Sequence, residues 1–313
     1  PAVLPDIIAL DTTDLATAAR SGLLQPIDAL LPADLAADLY PFAHDLGSID
    51  GKMYGIVYSA DLEHLAINTT VIKSAPVKWS DITQRYIFAV HDDVRGVSDA
   101  VLSQYFAAGG TLVNANQQPA LDQDTLTQLL GIYQQAQHNN VLASNTLDLT
   151  NDAEAGAVFL SSNSGAGNVS ASLYMSVAQS LPDLKFAALP TIDQPAPPIA
   201  RGWTLAIVTR EPRRQITALK FIDAWLSPEY SGVWTQAANV LPGRVSALQQ
   251  WDQKNPYTAF INDQLQRAIA APSAATMNVV GPALRKAIDD VLAGRATPID
   301  AAQAAVTAVN QTK

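Results

Sequence analysis

GWTLAIVTREPRRQITALKFIDAWLSPEYSGVWTQAANVLPGRVS, residues 202–246, sets the frame for the rest of the chain. Leu205 to Val208 is a short apolar run between Gly202 and the turn-forming Arg210-Glu211-Pro212, so it reads as a buried strand. From Pro212 the apolar residues fall at Ile216, Leu219, Ile222 and Leu226, with Ala218, Phe221 and Trp225 widening the stripe. That is one face of a helix. Ser227-Pro228-Glu229 ends this helix and starts another, because serine caps, proline suits the first helical position and glutamate favours the positive helix end. The second helix carries Tyr230, Val233, Trp234 and Ala237 and stops before Leu241-Pro242-Gly243-Arg244. Taken alone, this is an αβ unit that any doubly wound domain could contain.

The chain has 313 residues, 48% of them hydrophobic, enough for a sizeable core and for two lobes. No apolar run approaches the ~20 residues of a membrane helix. The sequence opens without a basic-then-apolar leader, which leaves a cytosolic protein or one whose export signal has been removed. Without cysteine there is neither disulfide nor thiolate chemistry, as suits a mature exported protein. The net charge of -10 is spread along the chain with no basic stripe, so nucleic acid and anionic lipid are not expected partners. A neutral or cationic ligand is easier to accommodate than a highly anionic one.

From the start, Asp6 to Leu10 reads as a strand, Asp11-Thr12-Thr13-Asp14 as a capped helix start, and Leu15 to Arg20 as the helix that Ser21-Gly22 closes. After a Pro32 to Tyr40 helix, Asp50-Gly51 marks a hairpin turn and Lys52 to Tyr58 a strand. Further strands are expected at Arg85 to Val90, Ala157 to Ser161 and Leu184 to Leu189. Helices are expected at Ser98 to Ala108, after the Asp122 cap, at Tyr257 to Ala270, and in two closing segments around Leu284 to Val291 and Ile299 to Val309.

Two clusters invite chemistry. Gly165-Ala166-Gly167, placed between a strand and a helix, has the start of a dinucleotide fingerprint, but Ser170 stands where a third glycine or alanine belongs and only Asp183 follows as an acid. His91-Asp92-Asp93 is the one hint of a metal or acid-base group. Its neighbours point alternately along an extended segment, so a solvated turn is expected and no metal site. There is neither a Gly-x-Ser-x-Gly elbow nor a His-Glu-x-x-His helix.

The order of strand, amphipathic helix, Ser-Pro-Glu break, second helix and Leu-Pro-x-Arg exit resembles the family 1 extracellular solute-binding proteins, the sugar-type receptors of bacterial ABC importers. Two more stretches carry the resemblance: PDIIALDTTDLATAARSGLLQPIDALL, residues 5–31, and GKMYGIVYSADLEHLAINTTVI, residues 51–72, the latter as a strand, a hinge crossing and a strand ending in an asparagine that opens a helix. The resemblance implies an α/β fold of the periplasmic-binding-protein kind (type II, cluster-type), with two lobes joined by a hinge. The first lobe is expected to comprise residues 1–59 and 204–240, the second 60–203 and 241–313.

It further implies a protein without catalysis or cofactor, which takes a saccharide or polyol in the interlobe cleft and presents it to ABC permease subunits outside the cytoplasm. A lipid anchor on a removed N-terminus is part of that expectation. In relatives that bind maltodextrins an acidic residue seven positions before the asparagine bonds sugar hydroxyls; here it is Asp61. Tyr58, Trp203 and Arg244 are further expected at the cleft, with Thr12, Thr13 and Asp14 from the first helix start and Asn163 and Ser164 from the loop after residue 161. Read locally, Asp61 is a turn carboxylate, Tyr58 a core tyrosine, Trp203 hinge packing, and Asp11 and Thr13 helix caps. Many relatives stack a tryptophan where Asn163 and Ser164 stand, a departure that argues against a maltodextrin-like stacked ligand. Trp79, in Val77-Lys78-Trp79-Ser80-Asp81-Ile82, matches a structural tryptophan at a helix start.

The family has two strand-helix units before the one at Asp6, so roughly 60 residues of the first lobe are expected to be missing here. Without them the strand near Leu4 to Leu10 should expose its edge, and the chain should be monomeric only when complete. Two alternatives stand beside the binding protein. One is a nucleotide-dependent α/β enzyme using the Gly165-Gly167 loop; the other is an interaction module that keeps the fold and has lost its ligand.

Overall fold

The structure, a computed structural model, describes residues 4–312. The chain forms two compact units, one from the residues up to Leu62 together with Ala200–Ala271, the other from Glu63–Ile199 together with the residues from Pro272 onward. It passes from the first to the second inside a single strand, Gly55–Asn68, and returns at the start of another, Ile199–Ile207. The assignment of residues 241–271 differs from the sequence-based one, which gave them to the second lobe. Backbone pairing explains the difference: Ala60 and Leu241 exchange both hydrogen bonds at 2.7 and 2.9 Å, and Tyr40 donates from its amide to Gly243 at 3.0 Å. The Tyr40 hydroxyl also donates to Asn262 at 2.8 Å.

In the first unit, strand Ile7–Asp11 runs antiparallel to Ile199–Ile207, with Ile7 opposite Ile207 and Asp11 opposite Trp203. The latter strand pairs antiparallel with Gly55–Asn68, placing Ala206 opposite Gly55, Trp203 opposite Ser59 and Arg201 opposite Asp61. Helix Thr12–Arg20 covers one face, burying Leu15 and Ala19 with Leu24, Ala206 and Val208. Asp50 and Gly51 both have positive φ, 52° and 76°, the geometry a tight hairpin turn demands, and Ser48 pairs with Met53 across it. Helices Pro212–Trp225 and Pro228–Ala237 follow as the period of their apolar residues requires. Ile7–Asp11 ends the strand order of its sheet, with Ile7, Ile8 and Leu10 half-buried.

In the second unit, the Glu63–Asn68 half of the long strand lies between Ala166–Ser170 and Leu184–Ala187, both antiparallel to it, and Tyr86–Ile87 adds to Ala166–Ser170 in parallel. Trp79, Tyr86, Phe88 and Tyr133 form an aromatic core under this sheet, with ring centroids 5.0 to 5.9 Å apart. Helices Ala274–Leu292 and Pro298–Gln311 pack on each other and on Gln123–His138.

Four expectations are corrected here. Residues 157–161 are not a strand but the end of helix Asp152–Ser161, which Asn151 caps by accepting from the Glu154 amide at 2.9 Å. Its buried Ala155, Gly156 and Phe159 are a helical stripe that a short apolar run does not distinguish from a strand. Consequently Ala166–Gly167 belong to a strand instead of a loop. Asn68 opens a turn, not a helix: its Oδ1 accepts from the Thr70 amide at 3.0 Å. His91 and Asp92 are buried instead of solvated. His91 Nε2 lies 2.5 Å from Asp289 Oδ1 and Asp92 pairs with Arg95, while only Asp93 faces outward, to Arg285 at 3.2 Å.

Candidate functional site

Three strand ends of the first unit converge where the chain leaves it. Ile7–Asp11 finishes there, Ile199–Ile207 begins there, and Gly55–Asn68 passes out after Asp61 and Leu62. Direct cross-strand partners share a face, so Asp11, Trp203 and Ser59 stand on one side of the sheet, and the next rung on that side is Arg201 opposite Asp61. Trp203 is 47% exposed, a large apolar surface left open on a strand whose following residues are buried. One Asp61 oxygen accepts from the Leu62 amide at 2.9 Å, which fixes the carboxylate against the backbone.

The start of helix Thr12–Arg20 adjoins this face. Asp11 Oδ1 accepts from the Thr13 amide at 2.8 Å and from the Thr13 hydroxyl at 2.7 Å, so the cap spends both groups. Thr12 Oγ1 accepts from the Gly202 amide at 3.4 Å and ties the helix start to the strand carrying Trp203. Asp14 is exposed in the first turn, where a carboxylate complements the positive helix end. Gly202 is required here: a Cβ would lie 2.2 Å from the Ser59 carbonyl oxygen.

The register shifts by one residue between Trp203 and Thr204, which leaves Tyr58 as the extra residue of a β-bulge. The bulge turns Tyr58 towards Trp225 and Trp234, with ring centroids 5.5 and 5.9 Å away. Partial burial raises the Tyr58 hydroxyl pKa above the usual tyrosine range, against the hydrogen bond to Ser59 that lowers it.

In the second unit the corresponding strand end carries Glu63 opposite Ser170. Ser170 Oγ accepts from the Leu173 amide at 3.2 Å and lies 3.0 Å from Ser172 Oγ. His64, next on the strand, is wholly buried against Tyr174, and burial pulls its pKa down to about 4, so the ring is neutral near pH 7. Asn163 and Ser164 are at the other end: Gly165 accepts from the Asn68 amide, five residues along the strand from Glu63, roughly 17 Å away.

The sequence profile of the bacterial extracellular solute-binding proteins matches residues 1–259. The chain belongs to this family. No curated protein matches it. As a solute-binding protein it shares its fold with the cyclic α-maltosyl-1,6-maltose-binding protein of Arthrobacter globiformis, at a TM-score of 0.81 and 19% identity over 98% of this chain and 84% of that one. An ABC transporter solute-binding protein of Thermotoga lettingae solved with α-D-tagatose matches at 0.78 and 18%, covering 98% and 85%. The GacH receptor of Streptomyces glaucescens, solved with acarbose, matches at 0.75 and 16%, covering 98% and 83%. These likenesses establish the two-lobed α/β fold.

Within this solute-binding protein the sequence-derived residues divide. Asp61, Trp203, Thr12 and Asp14 come together at the crossing end of the first unit. Thr13 is there too, but its hydroxyl and amide serve the cap. Tyr58 is nearby with its ring packed on tryptophan. Arg244 is 8% exposed and held at two points: Nε donates to Asp38 at 2.7 Å and Nη1 to the Leu226 carbonyl at 2.7 Å, a clamp on the helix turn. Asn163 and Ser164 are displaced because residues 157–161, expected as the strand before them, end a helix, and the strand follows them at Ala166–Ser170. Sequence reading missed Arg201, Ser170 and Ser172. Arg201 is visible only through its register with Asp61, whereas a serine followed by a short helix at Ser170 was in the sequence to be read as a cap.

The nucleotide alternative loses its structural basis. Gly167 sits inside a strand, where a Cβ would meet the Phe159 ring at 2.4 Å, so the glycine makes room for packing and not for a phosphate.

Proposed function

We propose that this protein binds a neutral saccharide or polyol at the crossing end of its first unit and delivers it, chemically unchanged, to the permease subunits of an ABC importer outside the cytoplasm. One observation carries the reading: on a single sheet face, a half-exposed indole stands one rung from an aspartate opposed by an arginine. An indole offers an apolar platform to the C–H face of a sugar ring, and the carboxylate accepts from vicinal hydroxyls while the guanidinium donates to ring or hydroxyl oxygens. Thr12 and Asp14 extend the same set of polar groups from the helix start.

The family supports placement outside the cytoplasm, and among the described residues no helix is long and apolar enough to cross a membrane. The names of the structural neighbours, a maltosyl-maltose binder, a tagatose complex and an acarbose complex, support a saccharide as the ligand class. A thermal-shift panel of mono-, di- and trisaccharides, polyols and NAD tests the reading, since only a ligand of the native state raises the midpoint. At least one saccharide or polyol should raise it. A rise with NAD alone refutes the proposal.

A further inference from the structure

In the second unit a cavity of about 370 Å³ opens between the turn Trp79–Asp81, the later half of helix Gln123–His138 and the segment at Thr191. It lies away from the crossing end. Trp79 packs on Tyr86, which pairs with Ala166, four residues and roughly 13 Å from Ser170 along that strand.

Trp79 lines it. The side chain is 9% exposed and stands edge-on to Tyr86 and Phe88, yet its indole N–H has no hydrogen-bond partner among the described residues and is not sealed from solvent. A buried indole N–H usually finds an acceptor. Trp79 is also one of the residues that line the cavity. The surrounding frame is fixed by backbone bonds: the Trp79 amide donates to Thr191 at 2.8 Å, and the Thr191 amide to Val77 at 2.9 Å. Gln128 Nε2 donates to Asp193 Oδ2 at 2.8 Å across the rim.

The chemistry of the lining narrows the ligand. Ser80, Gln135 and Asn139 present a hydroxyl and two amides that make no side-chain hydrogen bond among the described residues. Such groups donate and accept in equal measure, as vicinal hydroxyls require. Lys78 and Asp193 contribute one charge of each sign, which leaves no net pull on an ion, and Ile82, Ile132 and Ile192 supply apolar wall for C–H faces. The volume is at the small end of ligand pockets and suits one ring better than an oligosaccharide. We propose that this cavity is a second binding site, for a single neutral polyhydroxylated molecule such as a monosaccharide or cyclitol, separate from the site at Asp61 and Trp203 and independent of it.

The indole resonances of ¹⁵N-labelled protein test this directly, with the Trp79 signal assigned by Trp79→Phe. Glucose, galactose, myo-inositol and sorbitol are titrated in turn into the full chain. At least one should move the Trp79 indole peak saturably, and Gln135→Leu combined with Asn139→Leu, both exposed positions, should raise the dissociation constant read from that peak about tenfold or more. The proposal is overturned if none of the four shifts the peak saturably. It is equally overturned if the double variant leaves the titration unchanged, since the shift then originates elsewhere, or if acetate saturates the peak while the neutral compounds do not.

Discussion

Trp203→Ala removes the indole platform while leaving the strand that carries it. Trp203 is 47% exposed, and an indole side chain can bury up to about 250 Å², so roughly 120 Å² is open to solvent. A sugar ring laid on one face covers about half of that, roughly 60 Å², and at ~25 cal/mol per Å² this is worth about 1.5 kcal/mol. The dissociation constant for the best saccharide of the panel should therefore rise about tenfold. Because so much of the ring is already in water, the thermal midpoint of the unliganded protein should change little, a loss of about 1 kcal/mol at most. Isothermal titration calorimetry on wild type and variant, with circular dichroism melts of both, measures the two quantities separately. A dissociation constant within twofold of wild type refutes the stacking role, and a large fall in the melting midpoint would mean that the ring packs inside the fold.

Three further substitutions separate binding from stability. Asp61→Asn should weaken saccharide binding by about 1.5 to 3 kcal/mol, the worth of a hydrogen bond to a charged group, with little change in the melt; an unchanged affinity removes Asp61 from the site. Arg244→Ala should do the reverse, costing about 3 kcal/mol of stability through the broken Asp38 pair while the affinity of the folded protein stays as it was, measured by urea unfolding and calorimetry. Asp152 is buried, and desolvation together with the Asp99 charge pushes its pKa up to about 7. A folded-state pKa above the unfolded value of ~3.9 means its contribution to stability is fully present below about pH 4 and is lost as pH rises to about 7. Asp152→Asn should accordingly stabilise the protein at pH 8, by on the order of 2 to 4 kcal/mol, and much less at pH 5; equal effects at both pH values would contradict it.

What was legible in the sequence follows the strength of the local signal. The helices at Pro212 and Pro228, the Asp50-Gly51 turn and the caps at Asp11 and Asp122 were readable because each rests on a residue's own chemistry and on apolar period. The helix Asp152–Ser161 was misread as a strand because its last five residues, Ala157 to Ser161, are an apolar run too short for either period to show. That one error carried Asn163 and Ser164 to the wrong end of a strand and hid Ser170 and Ser172. Asp61 and Trp203 are expected at the cleft through family resemblance, not through pattern. Their company, Arg201 above all, depends on the antiparallel register between strands about 140 residues apart, which no local rule reports. The buried pairing of Arg244 is hidden for a related reason: its partner Asp38 lies far upstream, and nothing near Arg244 announces the pair.

The most direct measurement of the central claim is a crystal structure of the protein with the saccharide or polyol that gives the largest thermal shift. The account predicts ligand density at the crossing end of the first unit, with a ring or carbon chain against the Trp203 indole and hydroxyls within hydrogen-bonding distance, ~2.7 Å, of the Asp61 carboxylate. Density that touches neither Trp203 nor Asp61 would contradict it.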